Sequence, residues 1–272
     1  MTDFNIYSKR NSDDQSASFR RVLWFYTNYD CNLHCSYCVA ESGPRAARRE
    51  IGIDTVRARV EEAQMLGFEH VYFTGGEPFL LDSIYEMLDF AARRLPTTIL
   101  TNAMLLQRNR LEQLAEIRTD NLIIQVSLDG GSSAHHDAYR GVGSWVKTVD
   151  GLKKLVDQGF RVRLSSTETP ANTAHLQEIC DLRQSLGISE DDHIIRPLAR
   201  RGFSKAGLEI SKTNLAPEIT LNNDGFYWHP LSTDPDMRVL DSDRSLSEVV
   251  EKIQAELDGS SQDDNNSHKT FR

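Results

Sequence analysis

"RVLWFYTNYDCNLHCSYC", residues 21 to 38, runs from a β-branched and aromatic segment straight into three cysteines, Cys31, Cys35 and Cys38. The first nine residues predict a strand, so the thiols stand in a loop at that strand's carboxyl end. The same alternation continues along the chain. Residues 54 to 66 carry a helical period from an Asp54 cap, EHVYFT (69–74) reads as a strand, and GGEP breaks the chain after it. A helix over 81–94, a strand TTILT (97–101), a helix near 109–117 and a strand NLIIQVSL (121–128) follow. A helix over 145–158, a strand FRVRLSS (160–166), a helix over 173–186 and a sixth strand DHIIRPL (192–198) complete the series. Six strands separated by helices at this spacing imply right-handed crossovers and a parallel sheet.

In parallel α/β folds the working residues gather at the carboxyl ends of the strands. The unusual segments stand there: the cysteines after the first strand, TGGEP after the second, TNA (101–103) after the third and SLDGG (127–131) after the fourth. Beyond residue 200 the alternation stops. PEITLNNDGFYWHP (217–230) predicts a hairpin turning at Asn223, Asp224 and Gly225, and SLSEVVEKIQAEL (245–257) a capped helix. Residues 1–20 form a polar leader and 258–272 a polar tail expected to be disordered.

With 272 residues, 39% of them hydrophobic, the chain can bury the core of one large domain. A net charge of -9 and the lack of a long basic run argue against binding nucleic acid through its phosphates. The N-terminus lacks a signal peptide's apolar core, and no apolar run approaches the roughly 20 residues that cross a bilayer. A cytoplasmic setting is the expectation. There the cysteines remain thiols, and clustered thiols hold metal.

Three cysteines leave a closed zinc site one ligand short. His34 is a candidate fourth ligand, though it adjoins Cys35 and shares a short loop with all three thiols. Cys180, the chain's only other cysteine, falls in a predicted helix and reads as a packing residue. An iron-sulfur cubane usually takes four thiolates, so three would leave one iron open to a ligand.

The CxxxCxxC spacing of CNLHCSYC, with Tyr37 before the third cysteine, resembles the radical S-adenosylmethionine (SAM) enzymes, and in outline the maturases of the SPASM and twitch groups. The resemblance implies a partial (β/α)6 TIM-like barrel with a short C-terminal α+β cap. It implies that Cys31, Cys35 and Cys38 hold a [4Fe-4S] cluster whose open iron chelates the amino and carboxylate groups of S-adenosyl-L-methionine. Reductive cleavage of that cofactor then gives a 5′-deoxyadenosyl radical that takes hydrogen from the substrate. Further cofactor contacts follow from the resemblance: Gly75, Gly76, Glu77 and Pro78 at the methionine amino group, Ser127 and Asp129 of SLDG nearby, and Arg140 of HDAYRG (136–141) at the methionine carboxylate. Tyr37 is expected beside the adenine, and Asn102 at a strand end where the family often has TNG. Ala103 departs from that pattern.

The implied division is a barrel over 21–200 and a cap over 201–257. In the cap, His229 and Pro230 stand where such relatives carry a cysteine for an auxiliary cluster. His229 is a candidate substrate contact or proton donor, or a partly exposed hairpin residue. Arg196, Arg200, Arg201 and Lys205 after the sixth strand either hold a substrate carboxylate or phosphate or form a solvated basic loop. The substrate is expected to be a small molecule, with a peptide as alternative, and the reductant a flavodoxin or ferredoxin. A zinc-stabilised binding module without catalysis is the reading from a different class.

Overall fold

The computed structural model describes residues 19–117 and 119–260, so nearly all of the polar leader and the end of the tail lie outside it. The six expected strands are β1 (Val22–Tyr26), β2 (His70–Thr74), β3 (Thr97–Thr101), β4 (Leu122–Ser127), β5 (Val162–Glu168) and β6 (His193–Pro197). They pair in parallel in chain order. The helices between them are α1 (Ile53–Met65), α2 (Ile84–Ala92), α3 (Arg108–Glu116), α4 (Ser133–Arg140), α5 (Ser144–Asp157) and α6 (Leu176–Ser185). The result is the partial (β/α)6 barrel. Among the described residues no helix is long and apolar enough to cross a membrane.

Alternation along each strand sorts side chains between two faces. Leu23 and Phe25 of β1, Val71 and Phe73 of β2 and Ile99 of β3 join the core under the helices. Trp24 and Tyr26 point the other way, and Trp24 stacks on Tyr72 with ring centroids 4.0 Å apart. Phe25, Phe73 and Phe79 are fully buried, each contributing roughly 1.5–3 kcal/mol of apolar transfer.

Two local details differ from the sequence expectation. Helix α1 starts at Ile53 after an extended Gly52, and Asp54 lies in its first turn, where its charge favours the helix dipole. HDAYRG lies within and just after a helix, α4, which the pattern of SLDGGSSAHHDAYRG did not show. Its Asp137 accepts from the backbone N–H groups of Gly143 and Trp145, so that one carboxylate joins α4 to the start of α5.

After β6 come the short pair β7 (Ala199–Arg200) and β8 (Leu208–Glu209). The expected hairpin forms as β9 (Ile219–Leu221) and β10 (Gly225–Tyr227), with Asn222 Oδ1 accepting from Asp224 N and Gly225 N in the turn. It is not set apart from the barrel. Strand β9 pairs in parallel with β1, and β10 carries β11 (Arg238–Asp241), so the described residues form a nine-stranded sheet. Helix α7 (Leu246–Ser260) opens on a capping box in which Ser245 N and Oγ donate to Glu248 Oε2 and Glu248 N donates to Ser245 Oγ.

Candidate active site

The carboxyl ends of the strands surround a cavity of about 230 Å³. Cys31, Cys35, Cys38, Tyr37, Gly75, Gly76, Glu77, Asn102, Ser127 and Arg140 all line it, so ten of the twelve sequence-derived positions meet in one space. Pro78 and Asp129 lie behind its wall.

The three thiols are half-buried and free. Burial, reinforced for Cys31 by the Glu77 charge, pushes Cys31 up to about 12 and Cys35 up to about 11. A metal taking these sulfurs as thiolates must therefore displace protons. Leu33 N points at Cys31 Sγ (3.4 Å) and Ser42 N at Cys38 Sγ (3.4 Å), the kind of donor that stabilises a metal-bound thiolate. His34 does not complete a tetrahedron with the thiols. It is exposed, packs edge-on against Phe203 at 4.7 Å, and is not part of the cavity lining. Three thiols facing one cavity with no histidine among them fit a cluster with an open iron better than a closed zinc site. Cys180 lies in α6, half-buried and away from the cavity.

The GGEP turn is held against the cysteine loop by backbone bonds from Gly76 N to Asn28 O (2.8 Å) and Glu77 N to Asp30 O (3.0 Å). A Cβ on Gly76 would lie 2.0 Å from Asp30 O, and Gly75 has φ +130° with Asn28 O 2.4 Å from its own Cβ position. Only glycine permits this approach. Glu77 is buried and accepts from Phe79 N (3.2 Å) and Thr101 Oγ1 (2.8 Å) through Oε1 and from Asn102 N (2.9 Å) through Oε2. It therefore ties the ends of β2 and β3 together. Oε2 keeps acceptor capacity for one further donor. Burial raises its carboxyl to about 6 despite these donors. Pro78 opens the short turn that Glu77 caps.

Asn102 donates to Asn32 Oδ1 (2.8 Å) and accepts from Met104 N (3.0 Å), fixing the rim of β3 to the cysteine loop. Ala103 stands at φ +60°, a left-handed conformation that costs a non-glycine residue about 1–2 kcal/mol. That explains the glycine of TNG.

Asp129 accepts from Arg140 Nε (2.6 Å), Thr167 N (2.8 Å) and the Tyr37 hydroxyl. Burial alone would raise its carboxyl, but Arg140 and these donors outweigh that and hold it below the usual range. One carboxylate thus fastens the cysteine loop, α4 and β5. The ring of Tyr37 faces the cavity while its hydroxyl is committed to Asp129. Two supporting residues were given no role from the sequence, although His136 opens the HDAYRG motif. Asn172 Nδ2 donates to Asp129 O (2.6 Å) and Thr167 O (2.8 Å), and His136 Nδ1 accepts from Asp129 N (3.1 Å).

His229 is not partly exposed. It is 7% exposed, its Nδ1 accepts from Leu231 N (3.2 Å), and burial followed by the Arg196 charge pushes it down to about 3. It is therefore neutral near pH 7 and does not line the cavity, which removes it as an imidazolium donor. His136, fully buried, is pushed down to about 4 by burial and then by Arg140. Burial likewise pushes His70 and His193 down to about 4, so the unfolded chain takes up protons at all four positions that the native state refuses. Their stabilisation is complete above the ordinary histidine pKa and is lost as pH falls toward 4, at up to about 1.4 kcal/mol per pH unit for each histidine. The urea midpoint is expected to fall steadily between pH 7.5 and 5.5; a midpoint independent of pH in that interval would contradict the assignment.

The sequence profile of the Radical SAM superfamily matches residues 26–175, and the chain belongs to that superfamily. Its cofactors are a [4Fe-4S] cluster and S-adenosylmethionine. The chain is 31% identical over 181 residues to the mycofactocin maturase MftC of Mycobacterium tuberculosis, covering 66% of this chain and 45% of that protein. It is 26% identical over 183 residues to the AdoMet-dependent heme synthase of Nitratidesulfovibrio vulgaris, covering 66% and 49%. It thus spans about half the length of the curated relatives it matches. Streptococcus suis SuiB bound to S-adenosylmethionine superimposes with a TM-score of 0.61 at 22% identity, over 72% of this chain and 45% of that one. SuiB bound to its precursor peptide SuiA also matches, with a TM-score of 0.61 at 21% identity over 78% and 52%.

Proposed function

We propose that this chain takes a hydrogen atom from a small-molecule substrate bound in the strand-end cavity, as a step of a biosynthetic pathway in the cytoplasm. The observation that carries this reading is the meeting of three free thiols, the GGEP turn, Ser127 and Arg140 on one cavity. When bound, the cofactors supply one-electron cleavage of a sulfonium carbon–sulfur bond and a carbon radical able to take hydrogen. The protein's own residues position and enclose.

Cys31, Cys35 and Cys38 would hold the cluster. Glu77 Oε2 and the Gly75–Gly76 backbone would receive the methionine ammonium, and Ser127 and Arg140 the methionine carboxylate. Arg140 keeps Nη1 for that contact because Nε is spent on Asp129. Tyr37 would present an aromatic face to the adenosyl part. Residues 201–257 act as a clusterless cap on the barrel of 21–200: Leu231 lines the cavity, and the Tyr26 hydroxyl donates to Pro230 O (2.5 Å), holding that segment over the strand ends. The exposed Arg45 and Arg48 beyond the cysteine loop suit an acidic reductant such as a flavodoxin or ferredoxin.

A peptide substrate is the second reading, favoured by the likeness to a maturase and to a protein solved with its precursor peptide. In that case one side chain would enter the cavity. The test of the chemistry is anaerobic reconstitution with iron and sulfide, followed by assay of dithionite-dependent 5′-deoxyadenosine formation. The expected result is 5′-deoxyadenosine that requires both reductant and cluster. A zinc protein that leaves S-adenosylmethionine intact would overturn the reading in favour of a binding module.

A further inference from the structure

Of the four basic residues between 196 and 205, three are accounted for at the surface. Arg200 pairs with Glu209 (3.1 Å), Arg201 with Asp234 (2.9 Å) and Asp236 (2.5 Å), and Lys205 is exposed. Arg196 differs from all of them. It projects from β6 into the cavity wall, and its one hydrogen bond among the described residues is from Nη1 to Ser165 Oγ (3.3 Å). It makes no ion pair among the described residues. Glu218, the carboxylate whose charge most favours it, is already held by Trp24 Nε1 (2.8 Å) and Arg20 (3.3 Å). Arg163 and Arg20 repel it, and the neighbouring His229 is neutral.

A half-buried guanidinium with a single neutral side-chain partner is only partly compensated for the water it has lost, and that cost falls when an anion enters. Two arginines reach this cavity. Arg140 comes from α4 and is oriented by Asp129 beside Tyr37 and Cys35. Arg196 comes from β6 beside Ser165. S-adenosylmethionine has one carboxylate and so needs one of them.

We propose that Arg196 is the substrate anchor: with Ser165 it receives a carboxylate or phosphate group of the molecule from which hydrogen is taken. The inference rests on the proposed function for the word substrate, and it narrows that substrate to an anion. Its planar fork suits two oxygens at once, which fixes orientation as well as position.

The test uses calorimetric titration of the reconstituted holoenzyme with S-adenosylmethionine present. Succinate and inorganic phosphate serve as free small-anion probes, and a short glutamate-containing peptide as the peptide probe. Saturable binding of at least one probe is expected, weakened about 30-fold or more in Arg196→Gln and less in Arg196→Lys, which keeps the charge but not the fork. The preferred probe separates a free metabolite from a peptide side chain. No probe binding by the wild type, or equal binding by Arg196→Gln, would overturn the proposal. A parallel loss of S-adenosylmethionine affinity in a folded Arg196→Gln would assign the residue to the cofactor and equally overturn it. If that variant does not fold, Arg196→Lys decides, since unaltered probe affinity there contradicts fork recognition. Anion binding that depends on Arg196 in a protein making no 5′-deoxyadenosine would sink the radical chemistry and leave the anchor standing.

Discussion

Alanine at Cys31, Cys35 or Cys38 is expected to abolish dithionite-dependent 5′-deoxyadenosine formation and to lower bound iron far below the roughly four atoms per chain of a cubane. Each sulfur faces the same cavity, and the loop offers no substitute: His34 is turned outward against Phe203. Alanine at Cys180, outside the cavity, is expected to leave iron content unchanged. Metal analysis of the four reconstituted variants checks both halves. Full iron loading of a Cys35→Ala protein would show that the ligands had been misassigned.

Asp129→Ala is the largest expected effect on stability. The substitution leaves Arg140 buried without its counter-charge and removes the acceptor of Thr167 N and of the Tyr37 hydroxyl. Breaking one side of a buried ion pair costs about 3–5 kcal/mol. The loss should appear as a lower urea midpoint. Asp129→Ala combined with Arg140→Leu is expected to recover part of it, because no orphaned charge remains. A single variant within about 1 kcal/mol of the wild type would refute the role given to this carboxylate.

The strand ends could be read from the sequence because local pattern determines them. A run such as TTILT is bounded by breakers, and it forms β3 over those same five residues. The cysteine, GGEP, TNA and SLDG segments were also legible, since each follows a strand. Other features depend on partners far away in the chain. That the 217–230 hairpin adds to the β1 edge rests on Leu23 meeting Ile219, a pairing that periodicity does not encode. The burial of His229 follows from that placement. Helix α4 was missed because glycine, serine and paired histidines dilute its apolar pattern, while its geometry is set by Asp137 and by Arg140 reaching Asp129. The same limit hid Arg196: the sequence showed four basic residues together, and only packing shows which one lines the cavity with no ion pair among the described residues.

The central claim is that three thiols hold a cluster whose remaining iron is open to S-adenosylmethionine. Electron paramagnetic resonance of the anaerobically reconstituted, dithionite-reduced protein, recorded with and without S-adenosylmethionine, tests it most directly. The account predicts a spin-half cluster signal whose g values shift when S-adenosylmethionine is added. A signal that S-adenosylmethionine does not alter, or a colourless protein carrying zinc, would contradict it.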